Sequence, residues 1–336
     1  MHNHSRYPRK MVRFTVLASG SKGNSTVISG GRTRILLDAG LSCREIFRRM
    51  KLAGEDPETL DAIVITHEHQ DHVNGLAVAR KLNIPVYFTE ATHRAWLRSL
   101  TPRRQMTYAQ WLETAAAARK QAAERQAETA AAAAEEAPDE PEAVEAEAAV
   151  APGSTASPEQ PPARKEEPTW LPAVEYFEAG RPFEIGDISL NPFTIPHDAA
   201  DPVGFVLMAE GVKMGFATDL GYIPPNVKAQ LRGLELLLLE SNHDLEMLRD
   251  GPYPWAVKQR VLSRVGHLSN EAAAEFLENA YDGQATYIIL AHLSESNNLP
   301  ELARMAAERA LNGKASLLAN RLLVAEQREP LSSVCF

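Results

Sequence analysis

The stretch IVITHEHQDHVNGL, Ile63 to Leu76, constrains the fold more than any other part of the chain. Three histidines and an aspartate (His67, His69, Asp71 and His72) follow an apolar, β-branched run and fall within six positions. Imidazole nitrogen and carboxylate oxygen suit zinc, iron or manganese. One such loop cannot close two metal sites, so the rest of the chain must bring further donors to it. Strand ends are the natural source, because α/β folds gather side chains from neighbouring strand ends at one edge.

Other apolar runs end in the same residue types. His67 and His69 follow DAIVIT, His197 follows NPFTIP, Asp219 follows KMGFAT and His292 follows TYIILA. Taken singly, a His or Asp at a strand end is a cap or a structural residue; beside an HxHxDH loop it becomes a candidate ligand. Seven donors result and fit two ions. One takes His67, His69 and His197, the other takes Asp71, His72 and His292, and Asp219 bridges with its two oxygens. Two such ions, ~3.5–4 Å apart, activate a water between them. Zinc is the expected metal and manganese the alternative. The lack of thiolates argues against a purely structural zinc.

RFTVLAS, TVIS, TRILLDAG, AIVITH and PVYFT read as short strands, with CREIFRRMKLAG and HVNGLAVARKLN helical between them. Later, FEIGDISLNPFTIPHD, VGFVLMAEGVKMGFATD and LELLLLESNHD read as strands and hairpins, with Glu210-Gly211 as a tight turn. NEAAAEFLENAYD is a helix capped by Ser269 or Asn270, and LPELARMAAERAL is another. The expected fold class is α/β: two mixed sheets packed together with helices outside, a four-layer αββα sandwich. Residues 103–170 interrupt it. Their first part is Ala/Glu-rich and helix-favouring; the rest is rich in Pro, Glu and Ala with little to bury. We read one domain over 12–102 plus 171–328, and 103–170 as a helical, then disordered, low-complexity insertion.

The insertion also distorts the charge. Trp111–Pro168 holds 13 Asp/Glu and 5 Lys/Arg, so nearly all of the chain's net −9 lies there. The remainder is close to neutral, which leaves room for a local basic patch. Cys43 and Cys335 are the only cysteines, far apart and with no CxxC, which argues against a disulfide framework or a cysteine zinc site. No apolar run approaches the ~20 residues needed to span a bilayer. The opening MHNHSRYPRKMVRF is basic without the apolar core of a secretory signal, so a cytoplasmic protein is expected.

THEHQDH after an apolar strand resembles the signature of the metallo-β-lactamase superfamily. LASGSKGNSTVI, LLDAGLS, PHDAADPVGF, ATDLGYIP, LLLESNHDLEML, GPYPWAVKQRVLSRVGHLSN and LAHLSESNN resemble its YycJ/WalJ-type branch. The resemblance implies a metal-dependent exonuclease acting 5′→3′ on double-stranded DNA, with the seven donors above as ligands. It implies that Asp38 in LLDAG orients a ligating histidine. It also aligns Glu240 and His267 with a paired acid-donating carboxylate and histidine, with His243 as a competitor for that role or a phosphate contact. Asp71, Glu240, His267 and His243 are therefore the catalytic candidates.

The spacing bears on the substrate. His197 and Asp219 are 22 positions apart, too close for the long arm of tRNA-maturing relatives. Asp219 and His292 are 73 apart, and that span reads as ordinary strands and helices rather than an inserted subdomain. PWAVKQRVLSR reads as a helix started by Pro254, with Arg260 and Arg264 on one face and Lys258 nearby, a basic rim suited to a phosphate backbone. The Gly-rich SGSKGNS (Ser19–Ser25) offers backbone N–H groups but is not a P-loop. A DNA phosphodiester is the favoured substrate and no membrane contact is expected. The alternatives are a metallohydrolase of a small ester, lactone or thioester, and a non-enzymatic scaffold that uses the insertion as a tether.

Overall fold

Alternation within single strands separates two apolar faces. In β3 (Arg34–Leu37), Ile35 and Leu37 join one buried cluster while Leu36 joins another. In β11 (Leu236–Glu240), Leu236 and Leu238 face the first cluster, and Leu237 and Leu239 face a third. Strands that bury both faces need cover on both, and a sandwich of two sheets flanked by helices supplies it. The computed structural model describes residues 11–100, 169–311 and 321–336. The chain divides into two compact units, Met1–Leu100 with Pro168–Phe336, and Thr101–Glu167. All described residues belong to the first. The helix-then-linker reading of the insertion falls on residues outside those described.

The first sheet contains β1 (Arg13–Ala18), β2 (Ser25–Ser29), β3, β4 (Ala62–Val64), β5 (Val86–Phe88), β6 (Val174–Tyr176) and β14 (Val334–Cys335). Its order is β14-β1-β2-β3-β4-β5-β6. The second contains β7 (Phe183–Ile185), β8 (Ile188–Thr194), β9 (Val203–Ala209), β10 (Val212–Ala217), β11, β12 (Tyr287–Ala291) and β13 (Arg321–Val324), in the order β13-β12-β11-β10-β9-β8-β7. Each sheet has one antiparallel half and one parallel half. Both sheets are thus mixed, as the strand pattern predicts. Phe14, Ile35, Val64, Phe205, Leu236 and Ile289 fill the space between them. Ile46, Phe47 and Met50 of α1 (Cys43–Leu52) and Val78 and Ala79 of α3 (Ala77–Leu82) cover the first sheet. Ala273, Phe276 and Leu277 of α8 (Asn270–Asn279) and Ala303 and Ala307 of α9 (Pro300–Leu311) cover the second. The arrangement is αββα.

Local chemistry explains several boundaries. Glu210 (φ 48°) and Gly211 (φ 84°) both take left-handed conformations, as a tight β9–β10 hairpin requires. Ser269 rather than Asn270 caps α8, accepting from the Ala272 amide at 3.1 Å. HVNGLAVARKLN forms two short helices, α2 (Gln70–Val73) and α3, instead of one. A Cβ at Gly75, in the break between them, would collide with the Leu41 carbonyl. β6, β13 and β14 lie outside the strands that the sequence pattern predicts, and the two residues of β14 close the first sheet beside β1. α4 (Glu90–Leu100), α5 (Pro225–Gln230) and α6 (Leu245–Asp250) complete the elements before the site-side helix described with the metal centre. Among the described residues, no helix is long and apolar enough to cross a membrane.

Candidate metal centre

β10, β11 and β12 are parallel, and β8 points the same way because two antiparallel steps through β9 relate it to β10. Their C-terminal ends therefore share one edge. His197 lies beyond β8, Asp219 beyond β10, Glu240 ends β11 and His292 follows β12. In the first sheet, β3 and β4 are also parallel and place Asp38 and the THEHQDH loop at their C-terminal ends. The Val203 amide donates to the Thr66 carbonyl at 3.2 Å and ties the two edges together.

His67, His69 and His197 form one group whose donor atoms lie within 4.8 Å of one another; Asp71, His72 and His292 form a second. Asp219 joins His67 and His72 in a third such group, and His292, Glu240 and His267 in a fourth. The structure thus brings together all seven donors read from the sequence, in the two triads read there, with Asp219 between them. His69 Nδ1 lies 3.2 Å from His197 Nε2. Asp71 Oδ2 lies 3.4 Å from His72 Nε2 and 3.5 Å from His292 Nε2. Asp219 Oδ1 is 3.1 Å from His292 Nδ1, and its Oδ2 is 3.5 Å from His72 Nε2.

Asp38, Asp219 and His292 adopt left-handed backbone conformations, with φ of 58°, 61° and 57°. Such a conformation costs a non-glycine residue ~1–3 kcal/mol, so the surrounding bonds must impose it. At Asp38 the amide donates to the Val64 carbonyl at 2.8 Å, and its own carbonyl accepts from Ser25 Oγ at 2.9 Å. At His292 the amide donates to Ser19 Oγ at 2.7 Å, and the carbonyl accepts from Asn242 Nδ2 at 2.7 Å. The strain concentrates at the edge where the donors meet.

The braces set the histidine tautomers. Asp38 Oδ2 accepts from His72 Nδ1 at 2.8 Å and is itself fixed by the Thr66 hydroxyl at 3.0 Å. His72 is thereby oriented as the resemblance implies for Asp38. The Gly266 carbonyl accepts from His197 Nδ1 at 3.2 Å. Burial drives the pKa of His67 well below the usual imidazole value, helped by charge on His72, and burial lowers that of His197 too. Burial also opposes charge on His72 and His292. There the carboxylates win: Asp38, Asp219 and Asp71 hold His72 well above the usual value, and Asp219, Asp71 and Glu240 push His292 to about 10. Against burial, the histidines hold Asp71 and Asp219 well below the ordinary carboxylate range.

Sequence reasoning missed two braces inside SGSKGNS. Asn24 Nδ2 donates to Asp71 Oδ2 at 3.2 Å, and Ser19 holds the His292 amide. The loop therefore braces the second triad at two points. The Gly-rich composition marked it, but its partners lie 47 and 273 positions away, and no local pattern points to them. Gly40 of LLDAG has a similar hidden role. A Cβ there would collide with the Asp71 carbonyl, which accepts from the Asn24 amide at 2.8 Å.

Glu240 is fully buried and saturated. Its Oε1 accepts from His267 Nδ1 at 2.8 Å and His292 Nδ1 at 3.1 Å; its Oε2 accepts from the Leu220 and Leu268 amides. Burial would raise its pKa, but His267 and His292 hold it at about 2, so it is ionised. His243 stands apart from this cluster. It is 1% exposed, neither ring nitrogen has a hydrogen-bond partner, and burial lowers its pKa to about 4. It is a neutral interior residue, out of reach of a phosphate.

The basic rim also differs from its reading. The helix α7 (Trp255–Val261) stops before Arg264, so Arg260 and Arg264 do not share a helical face. Arg264 stacks on Tyr222, 4.4 Å from the ring centre, and Lys258 Nζ donates to the Arg249 carbonyl at 2.6 Å. Arg260 alone of the three lines the pocket of about 330 Å³ over the donors, which Ser21, Gln70 and His267 also line. Asp198, next to His197, holds Arg260 through Nε at 2.5 Å and Nη2 at 3.1 Å.

Two buried atoms test whether this centre suits a metal. His67 Nε2 and Asp219 Oδ2 are buried without any hydrogen-bond partner. Unpaired buried polar atoms are costly, and a cation among imidazole and carboxylate donors would satisfy both. The donor set fits divalent ions.

Residues 18–292 match the family model described as the metallo-beta-lactamase superfamily. The chain is 31% identical over 304 residues to a Bacillus anthracis protein named exodeoxyribonuclease YycJ, covering 90% of each chain. It is also 31% identical over 294 residues to Streptococcus pneumoniae exodeoxyribonuclease WalJ, covering 87% of this chain and 86% of that one. The fold is shared with the Bacillus subtilis metallo-beta-lactamase fold protein YhfI, at a TM-score of 0.57 and 12% identity over 96% of this chain and 99% of that one. A metal-dependent hydrolase of αββα architecture follows. By family model and by full-span relatives alike, the chain belongs to the metallo-β-lactamase superfamily, within its YycJ/WalJ branch.

Proposed function

We propose that the chain is a dinuclear metal-dependent phosphodiesterase, an exodeoxyribonuclease that digests duplex DNA in the 5′→3′ direction in the cytoplasm. One observation carries the reading. Seven imidazole and carboxylate donors converge from both sheets, in a chain whose relatives are named exodeoxyribonucleases over nearly their whole length. His67, His69 and His197 would hold one ion and Asp71, His72 and His292 the other, with Asp219 shared. Zinc suits these donors best, and manganese is the alternative. Bound there, the ions supply Lewis acidity that activates water and offsets phosphoryl charge. Residues 12–102 and 171–328 form the hydrolase domain in this reading, and 103–170 is an insertion outside the chemistry.

The chain's own groups orient and move protons. Asp38 and the Gly266 carbonyl hold His72 and His197 so that each presents Nε2 inward. Ionised Glu240 fixes Nδ1–H of His267 and leaves Nε2 to give a proton to the departing alkoxide. We assign that donor role to His267, which lines the pocket, and not to His243, which is buried. Every side chain lining the pocket is polar or charged, whereas a small ester or lactone would favour an apolar wall.

The test is a panel of end-labelled duplex and single-stranded DNA and RNA, with zinc or manganese added. The wild-type protein is expected to release label from the 5′ end of duplex DNA, and His67→Ala is expected to release none. Intact duplex with both proteins would overturn the reading. Hydrolysis of an ester, lactone or thioester in its place would establish the small-molecule alternative.

A further inference from the structure

The helix that reaches the metal centre is unusual in what it leaves uncovered. α7 buries none of its seven residues. Trp255 is 67% exposed, and Val257, Leu262 and Val265 are exposed with it. Of the thirteen large apolar side chains exposed among the described residues, four fall within these eleven positions. Single exposed apolar residues are ordinary, and four within so short a segment are a local concentration.

The same segment carries Lys258, Arg260 and Arg264, each held in place by a defined partner and all still reachable from solvent. Arg260 lines the metal pocket. Trp255 lies five residues earlier, about 7.5 Å along a helix. Five residues also turn about 140° around that helix, so the ring and the guanidinium leave it on different sides and meet different nucleotides of one strand. An exposed aromatic ring on the short helix that carries the pocket-lining Arg260 has the chemistry of a base-stacking platform. A ring face binds any base, and the cations track the backbone.

We propose that α7 is a nucleic-acid grip in which Trp255 stacks on a base flanking the scissile phosphate and Arg260 contacts a backbone phosphate, exchanging its Asp198 partner for it. The inference rests on the nuclease reading and deepens it. Phosphate contact through Arg260 positions the strand over the pocket, while stacking on Trp255 holds a base near the end being digested. Sequence preference is not expected, since stacking reads no base edge.

Trp255 is exposed and the helix buries nothing, so Trp255→Ala and Trp255→Phe leave the core intact. The experiment measures binding of the metal-loaded full chain to a duplex with a short single-stranded end, together with its tryptophan fluorescence. Wild-type emission is expected to be quenched on binding, and Trp255→Phe is expected to lose most of that change while keeping most of the affinity. Trp255→Ala is expected to bind roughly tenfold more weakly. Unchanged affinity in Trp255→Ala, or equal quenching in Trp255→Phe, overturns the grip while a DNA-cleaving wild type keeps the nuclease reading. A wild type that neither binds nor cuts DNA overturns both. A protein captured by α7 with no effect on DNA affinity also overturns the grip.

Discussion

Two histidines on one side of the centre lose their protons to burial, while two on the other side are kept charged by carboxylates. His67 and His197 are braced by a hydroxyl and a carbonyl, and both have lowered pKa values. His72 and His292 are braced by Asp38 and Glu240, and both have raised values. His67 and His197 are thus already neutral acceptors for a cation. In the second, protons balance Asp38, Asp71, Asp219 and Glu240 until a metal replaces them. The difference teaches that a pair of sites sharing one carboxylate need not fill alike. It also singles out Asp219 as the carboxylate that groups with histidines of both halves.

Replacing Asp219 tests that grouping with the largest effect. Asp219→Ala removes the carboxylate common to both triads and leaves His72 and His292 with one counter-charge fewer. Activity is expected to fall on the order of 10³-fold, comparable to losing a main electrostatic stabiliser. Metal analysis is expected to find fewer than two ions per chain. His69→Ala touches one triad only and is expected to retain the second ion. If Asp219→Ala keeps both ions and the two variants behave alike, the shared-carboxylate picture is wrong.

Much of this centre was legible in sequence, for a reason that varies with each residue. THEHQDH is a local pattern, since four donors on one loop need no tertiary knowledge. His197, Asp219 and His292 were legible because each ends an apolar strand and parallel strands align their ends. Glu240, His267 and Asp38 came only through resemblance. The rest lay beyond local reading. Asn24 and Ser19 act through single hydrogen bonds across long sequence separations. Arg264 reads as helical by spacing, but the helix ends at Val261 and a turn closed by the His267 amide on the Val261 carbonyl follows. His243 has the composition of a site residue, and only burial shows it to be interior. The two-residue β14 carries no periodicity at all.

The proton difference gives a pH test of the two halves. A metal needs neutral imidazole. At pH 7 the first triad's His67 and His197 are already neutral, since their folded pKa values lie below the usual 6.5. Neither of these two is therefore expected to release a proton when the first ion binds above that pH. His72 and His292 lie above 6.5, so each gives up a proton on binding, and second-ion affinity rises with pH until it passes about 10 for His292. The slope approaches tenfold per unit for each proton released, so up to about a hundredfold. Titration calorimetry in buffers of different ionisation enthalpy counts the protons. Equal release for both ions would remove the asymmetry.

The smallest effect tests whether the β1–β2 loop braces the second half alone. Asn24 is buried and donates to Asp71 Oδ2, while its Oδ1 accepts from the Gly20 amide at 2.9 Å. Asn24→Ala removes the first bond and loosens the loop that carries Ser19. One hydrogen bond to a charged acceptor contributes ~1.5 kcal/mol, so second-ion affinity is expected to fall roughly tenfold. No brace runs from this residue to His67, His69 or His197, so the first ion is expected to bind as in wild type. A competing chelator titration resolves the two steps. Equal weakening of both would mean that the loop supports the whole edge, and that the two triads are less independent than their protonation suggests.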